Sequence, residues 1–599
     1  MGDITMIAKR AKLAARVSGL ACAAAFAASS SALFAQVSVP PTREEVERDL
    51  PTGEDAAVNP AVSLDSDLTR ASCPLSDSQF DGITFDLKAV EFSGVEVLDP
   101  DMLAPSWTWL EGQEIPIARV CDIRDRAAAI LSGLGYVATV QVPPQTIEDG
   151  TVKLDVVVAR LSGLVIRGEP GTSGTALESY FEALQAEPYF NSKQAERLLL
   201  LARDIPGMDV RLALTRDTGP NARPGDLIGI VDVLFRRFEG DIGALNWSSK
   251  SVGRFGGTFR GQVNGLTGLA DLTELTVYST FDPEEQIVLQ GRHEFGLGSD
   301  GLRLGASVVH AWTQPDVPGD DVFDATTFVA SVYGKYPLLR TQGTSIGLEA
   351  GFEWIDQDLE FSGLPLTEDE IRAVYLKLET SSIDAATLAG LPGYSLAEPR
   401  LATRGRLEIR QGLGFLGASD DCGAGFLDCF APGVVPIARL DADPTGFLIR
   451  GEGQVDFRPT PLFTISAKPR FQVSPDPLLA YEQFSGGNYT AGRGYDPGAV
   501  IGDSGVGSQL EFAYGTLYSD DPKAIAWQPF VFFDTFAAWT KNIPGDPVTL
   551  TSIGGGVRAS IARRAFLEVV GAIPLERTPF QTRRGDTRLL VNMVVRLGQ

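Results

Sequence analysis

The sequence predicts an exported chain in which two α/β repeats precede a large antiparallel β-barrel. Three observations carry this prediction: a secretory signal at the N-terminus, a repeated α/β pattern over residues 85–237, and a strict alternation of apolar and polar residues from Phe238 onward. The composition agrees, because 64 glycines and 32 phenylalanines among 599 residues are typical of large β proteins. A mean hydropathy of +0.03 is too polar for a bundle of membrane helices.

Residues 1–35 predict a secretory signal peptide that is removed from the mature chain. Basic residues within positions 9–16 precede an apolar run over 17–28, and small residues lead to a cleavage site at Ala35. A second candidate cleavage site ends at Ala32. A membrane anchor is disfavoured, because the apolar run is shorter than the roughly 20 residues that span a bilayer.

The charge balance excludes several classes of protein. The chain carries 77 acidic and 51 basic residues, a formal net charge of −26, so nucleic acid is not an expected partner. Two histidines, His293 and His310, and five cysteines are the soft ligands that the sequence offers to a metal or haem. We therefore expect no metal site, no cofactor and no catalytic residues.

Four cysteines remain once Cys22 leaves with the signal peptide. They form two pairs that are neighbours in sequence, Cys73 with Cys121 and Cys422 with Cys429. Because an exported protein meets an oxidising compartment, we expect a disulfide in each pair. Zinc binding by Cys422 and Cys429 is disfavoured by their spacing and by the lack of a histidine nearby in the sequence.

Residues 36–84 are expected to form a mobile linker. They are rich in proline, aspartate and serine and poor in apolar residues, so a buried role in a core is not expected. One short helix is predicted over Arg43–Leu50, with Thr42 as its N-cap.

Two similar α/β units are predicted over residues 85–160 and 161–237. Each begins with a strand, continues with an amphipathic helical region and ends with two strands, and Gly135 is predicted to terminate the helix of the first unit. The predicted strands of the first unit are Leu87–Phe92, Tyr136–Val142 and Val152–Ala159. The predicted elements of the second unit are strand Gly163–Arg167, helices Thr175–Gln185 and Ser192–Ala202, and strands Met208–Leu214 and Leu227–Phe235.

Residues 238–599 predict a β-barrel that spans a membrane. Apolar and polar residues alternate, as in 346–354 and 447–458, although a soluble β-sandwich would show the same period. The signal peptide and tryptophans near predicted strand ends favour the barrel, and roughly 22 residues per strand and connection allow about 16 strands. These tryptophans are Trp312, Trp354, Trp527 and Trp539. The polar face would line the lumen through Arg406, Glu408, Arg410, Arg450, Glu452 and Arg458.

Three motifs resemble those of outer-membrane transporters of two-partner secretion, the haemolysin-activator type within the β-barrel assembly superfamily. Gly135-Tyr136, Val142-Pro143-Pro144-Gln145 and Asp149-Gly150 resemble the first polypeptide-transport-associated (POTRA) domain of that family, and residues 161–237 resemble the second. Arg493-Gly494-Tyr495 followed by Gly502-Asp503 is similar to the tip of the sixth surface loop, about 476–504, which folds back into the barrel. Phe532 and Asp534 are similar to the strand motif whose acid receives the loop arginine.

The resemblance implies a transporter in the bacterial outer membrane with its POTRA domains in the periplasm. These domains would bind a specific secreted partner polypeptide at their edge strands, and the barrel would export it without a cofactor or covalent chemistry. Outer-membrane lipid, and barrel-assembly machinery during biogenesis, are further expected partners of a monomeric chain. The short helix after Thr42 would correspond to the plug helix of the family. The alternatives are a barrel-assembly insertase of the same superfamily and a diffusion porin, which needs no POTRA-like units.

Overall fold

The computed structural model describes residues 40–47, 62–64, 73–95, 99–147, 149–315, 322–519, 521, 523–543, 545, 547–579 and 581–597. The predicted signal peptide, with Cys22, lies outside these residues. The last part of the predicted helix, residues 48–50, lies outside them as well.

The N-terminal segment contributes one short helix and one short strand. Helix α1 (Arg43–Val46) starts after Thr42, whose backbone N and Oγ1 both donate to Glu45 Oε2 at 3.0 Å. Strand β1 (Val62–Leu64) pairs in parallel with residues 212–214 of the second α/β unit. The linker is therefore attached to the second α/β unit through β1.

The first α/β unit packs one long helix, α2 (Arg119–Gly133), against a three-stranded sheet. Gly135 has a φ of +96°, a left-handed conformation that ends the helix and that glycine adopts without steric cost. Two 3-10 helices, Pro100–Ser106 and Thr108–Leu110, stand where the second unit has its first α-helix. The strands are β2 (Thr84–Asp86), β3 (Ala89–Ser93), β4 (Glu114–Pro116), β5 (Ala138–Gln141) and β6 (Thr151–Val158). The sheet order is β3-β6-β5.

The second α/β unit follows the predicted order of elements closely. Its strands are β7 (Arg160–Arg167), β8 (Met208–Arg216) and β9 (Asp226–Phe235), and its helices are α3 (Gly174–Gln185) and α4 (Ser192–Arg203). With β1 the sheet has four strands in the order β1-β8-β9-β7, so β1 covers the β8 edge. None of the helices among the described residues is long and apolar enough to cross a membrane.

Sixteen antiparallel strands form a closed barrel, which confirms the predicted fold and strand number. The last strand pairs with the first, so the sheet has no free edge. The strands are β10 (Phe238–Leu245), β11 (Gly256–Asn264), β12 (Leu272–Thr280), β13 (Gln286–Leu297), β14 (Leu302–Thr313), β15 (Phe323–Arg340), β16 (Thr344–Phe361), β17 (Leu364–Ile383), β18 (Leu401–Gly412), β19 (Phe447–Thr460), β20 (Phe463–Val473), β23 (Ser504–Tyr514), β24 (Ile525–Trp539), β25 (Val548–Ile561), β26 (Ala565–Pro574) and β27 (Arg588–Leu597). A one-turn helix, α5 (Ala385–Leu388), lies between β17 and β18.

Alternate side chains of each barrel strand face the lumen and the outside. On β17, Tyr375 Oη and Lys377 Nζ bond to Glu349 Oε1 of β16 inside the barrel at 2.9 and 3.3 Å. Their neighbours Val374 and Leu376 point outward and are 42% and 43% exposed. An outward apolar face and an inward polar face are the arrangement that a lipid bilayer selects.

Three of the four predicted tryptophans lie near strand ends, and one does not. Trp312, Trp527 and Trp539 occupy the ends of β14 and β24 and are exposed. The prediction for Trp354 was wrong, since it lies inside β16 and the guanidinium of Arg372 stacks on its ring at 3.5 Å. Trp354 therefore supports a buried arginine on the outer surface of the barrel wall.

Long loops lie at the outer end of the barrel, opposite the α/β units. In chain order these include loop 5 (residues 413–446), loop 6 (474–503) and loop 7 (540–547). Loop 6 contains the two short strands β21 (Phe484–Gly486) and β22 (Val500–Gly502), which pair with each other. Disulfides join Cys422 to Cys429 within loop 5 and Cys73 to Cys121 of α2, with Cα–Cα distances of 4.9 and 6.0 Å.

The expectation that the linker has no buried role was wrong for α1. The helix lies inside the barrel, where Val46 is fully buried and Glu45 is 3% exposed. Apolar content did not reveal this position, because the helix is held mainly through polar groups. Gln290 Nε2 of β13 donates to Val46 O at 2.7 Å, and Gln357 Nε2 of β16 donates to Pro41 O at 3.3 Å.

The second α/β unit is fastened to the inner rim of the barrel by polar contacts. Arg340 at the end of β15 makes two hydrogen bonds of 2.8 Å to the Asp204 carboxylate, which follows α4. Glu196 of α4 accepts from the backbone N of Gln342 at 2.6 Å. A bidentate arginine–carboxylate pair fixes orientation as well as distance. The unit therefore lies under the inner opening in a defined position.

We predict that the protein is heat-modifiable and is extracted from membranes only by detergent. A closed barrel leaves no strand edge from which unfolding can start, so the unheated protein should migrate as a compact species in SDS and shift upward after boiling. The measurement is gel mobility with and without heating. Recovery of the mature chain in the soluble periplasmic fraction would contradict the barrel.

We predict that Cys422 and Cys429 are oxidised in protein purified without reductant. Closing a loop of this length contributes about 2–3 kcal/mol in the loop-entropy model. Mass spectrometry of a non-reduced digest should find the two peptides joined, as for Cys73 and Cys121. Full alkylation of both loop thiols without prior reduction would be inconsistent with the structure.

Candidate functional site inside the barrel

The tip of loop 6 reaches the barrel wall through Arg493. Its Nε and Nη2 donate to the two oxygens of Asp534 on β24 at 3.0 and 2.8 Å, and its backbone N donates to Asp534 Oδ2 at 2.9 Å. Nη1 donates to Glu511 Oε2 of β23 at 3.1 Å. Arg493 is 5% exposed and Asp534 is fully buried. The structure thus places the predicted arginine against the predicted acid in a bidentate contact.

The surroundings of Arg493 require particular residues. Its guanidinium lies 3.6 Å from the centre of the Phe532 ring, the other predicted wall residue. A Cβ at Gly494 would lie 2.8 Å from Pro574 N and 2.9 Å from Ser552 Cβ, so the backbone there approaches the wall as only glycine can. Tyr495 donates from its hydroxyl to Thr551 O at 2.9 Å. All three residues of the Arg-Gly-Tyr motif therefore hold the loop tip against the barrel wall.

Gly502 and Asp503 do not belong to the loop tip, contrary to expectation. They lie at the far end of loop 6, where Gly502 ends β22 and Asp503 precedes β23. The fully buried Asp503 accepts from the backbone N of Leu478 at 2.9 Å and of Lys541 at 2.6 Å. It also pairs with Arg439 Nη1 of loop 5 at 2.5 Å. Asp503 therefore joins three loops, because β22 turns the chain away from the tip before this residue.

Helix α1 is held in the lumen by both the wall and loop 6. Glu44 accepts from Arg470 Nη2 of β20 at 2.8 Å and from Ser485 Oγ of loop 6 at 2.6 Å. Glu47 accepts from the Tyr481 hydroxyl of loop 6 at 2.9 Å. These bonds are charge-assisted and lie in a poorly hydrated interior, so each counts for more than its counterpart on a surface.

A buried ion network continues from α1 to the opposite wall. Arg410 of β18 bonds to Glu353 of β16 at 2.5 Å and to Glu482 of loop 6 at 2.7 Å. Glu353 also lies 3.8 Å from Arg43 Nη2. On the other side, Glu408 accepts from Arg450 at 2.5 Å. Three of the predicted lumen residues thus take part in one network with α1 and loop 6.

The other predicted lumen residues lie nearer the inner opening, and two of them, Arg406 and Glu452, are more hydrated. Arg406 pairs with Glu452 at 2.9 Å and with Glu379 at 3.1 Å, and all three side chains are 44% exposed or more. Arg458 donates to Pro399 O at 3.1 Å at the inner rim. These residues share the lumen face with the network above, but they do not contact α1 or loop 6.

Sequence reasoning missed the acids that complete the site. Glu353 and Glu511 follow the polar parity of their strands, which could have indicated an inward direction, and Glu482 lies inside the predicted loop. Their partners are residues 18–72 positions away, so the pattern along one strand does not identify them. Within the described ranges, no group of three or more His, Cys, Asp or Glu side chains could hold a metal ion.

Two solved structures share this fold. The chain superposes on CdiB from Escherichia coli with a TM-score of 0.70, at 15% identity, over 93% of this chain and 95% of CdiB. It superposes on CdiB from Acinetobacter baumannii with a TM-score of 0.63, at 15% identity, over 86% and 90% of the two chains. At this identity the likeness shows a shared fold.

A characterised relative is more similar in sequence over part of the chain. The heme/hemopexin transporter protein HuxB of Haemophilus influenzae is 23% identical over 336 residues, 54% of this chain and 55% of HuxB. The match to this chain therefore spans about half the length of HuxB.

Two family models match separate parts of the chain. Residues 85–158 match the ShlB-type POTRA domain, and residues 377–559 match the haemolysin secretion/activation protein family ShlB/FhaC/HecB. The second match contains loop 6, Arg493 and Asp534. The chain therefore carries a ShlB-type POTRA domain on the periplasmic side and an outer-membrane β-barrel that matches the haemolysin secretion/activation family ShlB/FhaC/HecB over residues 377–559.

Proposed function

We propose that this protein exports a specific partner polypeptide through its barrel, in extended form and without covalent chemistry. The observation that carries the proposal is the content of the lumen: a helix and a folded-in loop are held there by polar contacts that can be exchanged for water. A diffusion pore requires neither periplasmic POTRA domains nor a helix and a loop that occupy its lumen.

The POTRA sheets offer edges at which an extended chain can add a strand. In the second α/β unit β1 covers the β8 edge, whereas β7 at the other edge pairs only with β9 among the described strands. Val165 and Ile166 of β7 are 48% and 40% exposed. Main-chain hydrogen bonds at such an edge tolerate many sequences, and pockets for alternate side chains add selectivity.

A cavity lies between the second α/β unit and the barrel. A cavity of about 480 Å³ separates α3 and α4 from the inner rim of the barrel. Tyr180 and Leu201 line it on one side, and Lys335 and Glu349 of the barrel line it on the other. Its lining of apolar residues and glycines with charged residues at the lumen side suits an extended polypeptide of mixed composition.

The function itself is tested by comparing extracellular proteins with and without this chain. Deletion should remove one large polypeptide, or a few, from the medium or cell surface, and the complete chain should restore them. An unchanged set of extracellular proteins, with the barrel present in the outer membrane, would contradict export.

Replacing Arg493 with alanine should reduce export at least about tenfold while the barrel remains inserted. Arg493→Ala removes the ion-pair partner of the fully buried Asp534, whereas Glu511 keeps Arg558. A buried charge that loses its partner costs about 3–5 kcal/mol, so the loop tip should no longer be held against the wall. Arg493→Lys should retain part of the activity, because lysine keeps the charge but not the bidentate contact. Export is measured by the amount of partner polypeptide in the medium.

The matched control is Arg406→Ala, which removes a hydrated lumen arginine whose pairs are worth less than about 1 kcal/mol. It should export normally. Equal losses for Arg406→Ala and Arg493→Ala, or additive mild effects of Arg493→Ala and Asp534→Ala, would show that the loop contact has no special role.

Charge reversal at Arg470 should release α1 from the lumen. In Arg470→Glu a second carboxylate would face Glu44, so the helix loses an ion pair and meets repulsion in an interior with little water. The expected result is a larger ionic conductance of the purified protein in planar bilayers. Glu44→Arg in the same chain should lower it again, whereas Arg406→Glu should leave it unchanged. No response of the conductance to Arg470→Glu would contradict the role of this pair.

A further inference from the structure

Loop 5 starts on the outside of the barrel wall. Leu413 N donates to Arg372 O at 2.7 Å, and Ser419 N donates to Glu370 O at 2.9 Å. Arg372 is fully buried under this segment, and its Nε donates to Leu416 O at 3.0 Å. The first part of the loop is therefore fastened to the outer end of β17.

The middle of loop 5 turns inward and fills the outer mouth of the lumen. Cys422, Cys429, Ile437 and Ala442 are 6% exposed or less. They belong to the same apolar cluster as Val46 of α1 and as inward side chains of the wall. The loop therefore lies above α1, and the disulfide makes its central part a compact unit.

The wall beneath loop 5 is apolar, contrary to the polar lining expected for the whole lumen. Val329, Ile355 and Ile371 stand directly opposite one another on β15, β16 and β17, all facing inward and 4% exposed or less. The loop removes this row from water. Apolar burial gives the loop a preferred closed position without a network of charges.

Three polar contacts attach the inward part of the loop to the two sides of the mouth. On the β17 side, Asp369 Oδ1 accepts from Ala438 N at 2.8 Å. On the opposite side, Arg439 pairs with Asp503 at 2.5 Å and donates to Lys541 O of loop 7 at 2.9 Å. Burial opposes the charge of Arg439, but Asp441 and Asp503 raise the pKa of Arg439 above its ordinary value. Loop 5 is thus attached to both sides of the opening.

We propose that loop 5 is a lid across the outer exit, and that Asp503 is the residue that positions it by holding Arg439. The proposal rests on the proposed export function, because the lid must move aside when a polypeptide leaves. Asp503 suits this role because it belongs to loop 6. If loop 6 moved away from the barrel wall, Asp503 would move with it and Arg439 would lose this partner. The exit and the loop tip are then linked through one carboxylate.

The closed position of loop 5 leaves a buried polar atom without a hydrogen bond. Among the described residues, Asp369 Oδ2 is buried without a hydrogen-bond partner. An unpaired buried carboxylate oxygen favours the open form, in which water reaches it. Gly417, which precedes the inward segment, and Gly433, which lies within it, are left-handed, with φ of +74° and +91°, a conformation that glycine adopts without steric cost.

The test measures access from outside to a thiol placed under the lid. Ala373 is 1% exposed on the inward face of β17, beside a small cavity below the loop, so Ala373→Cys is tolerated in space. The four described cysteines are in disulfides and do not compete for the label. Intact cells are treated with a membrane-impermeant maleimide, and the rate of labelling is measured.

In the otherwise unchanged chain, Ala373→Cys should be labelled slowly. The labelling rate should rise about tenfold or more when Arg439→Ala or Asp503→Asn is added, because each substitution removes a buried charged hydrogen bond. Val434→Cys, at an exposed loop position, is the positive control and should label rapidly in every background. Arg406→Ala is the matched control and should leave Ala373→Cys protected. If Asp503→Asn fails to give a heat-modifiable barrel, Arg439→Ala decides the result.

A second experiment asks whether the lid has to move. The double substitution Asp369→Cys with Ala438→Cys places two thiols at positions already joined by a hydrogen bond. Oxidation to a disulfide should lock the lid and stop export. The single substitution Asp369→Cys is the control and should export normally. Any one of three results would overturn the lid. The first is rapid labelling of Ala373→Cys in the otherwise unchanged chain, and the second is a labelling rate that does not change when Arg439 or Asp503 is substituted. The third is undiminished export by the oxidised, disulfide-locked form. Labelling needs no partner polypeptide, so its outcome is independent of whether export itself is established.

Discussion

The closure of the barrel sheet is the constraint on which the other features of this protein depend. A bilayer offers no hydrogen bonds, so all sixteen strands must pair and the last must return to the first. Closure makes the polar face of every strand an interior surface. Where α1 and loop 6 fill the lumen, charged side chains on that surface are shielded from bulk water, and each needs a partner nearby. The wall alone does not supply enough partners, and α1 and loop 6 provide the rest.

The shared partners couple the filling elements to one another. Arg410 divides its contacts between Glu353 of the wall and Glu482 of loop 6, and Glu44 of α1 is bound by Arg470 of the wall and Ser485 of loop 6. Removing loop 6 takes one of two partners from Glu44 and from Arg410, and removing α1 takes Glu44 from Arg470, which is costly in a poorly hydrated interior. We therefore interpret α1 and loop 6 as one cooperative unit rather than two separate obstructions.

The nature of these contacts explains how a filled lumen can serve as a conduit. Separating an ion pair costs little free energy when both charges become hydrated, because water replaces each partner. Opening a large apolar core would cost about 25 cal/mol for every Å² of apolar surface exposed to water. The inner and middle lumen use the first kind of contact. The outer mouth combines a small apolar row at Val329, Ile355 and Ile371 with a few polar attachments, so it is closed by default and still separable.

Several features were determined by the sequence alone. The order of the α/β units and the barrel follows from local patterns, because the hydrophobic period depends only on residues close in sequence. The inward parity of Arg410 and Arg450 and the two cysteine pairs follow in the same way. The pair of Arg493 and Asp534 was within reach because both residues belong to short motifs that resemble those of the two-partner secretion family.

Tertiary structure decided which distant residues meet. Asp503 pairs with Arg439, 64 positions earlier, and Glu44 pairs with Arg470, 426 positions later. Such contacts depend on strand register and on the curvature of the closed wall, which are properties of the whole sheet and not of any segment. The same reason accounts for the burial of α1, whose charged sequence predicts solvent exposure until the barrel brings opposite charges to it from both sides.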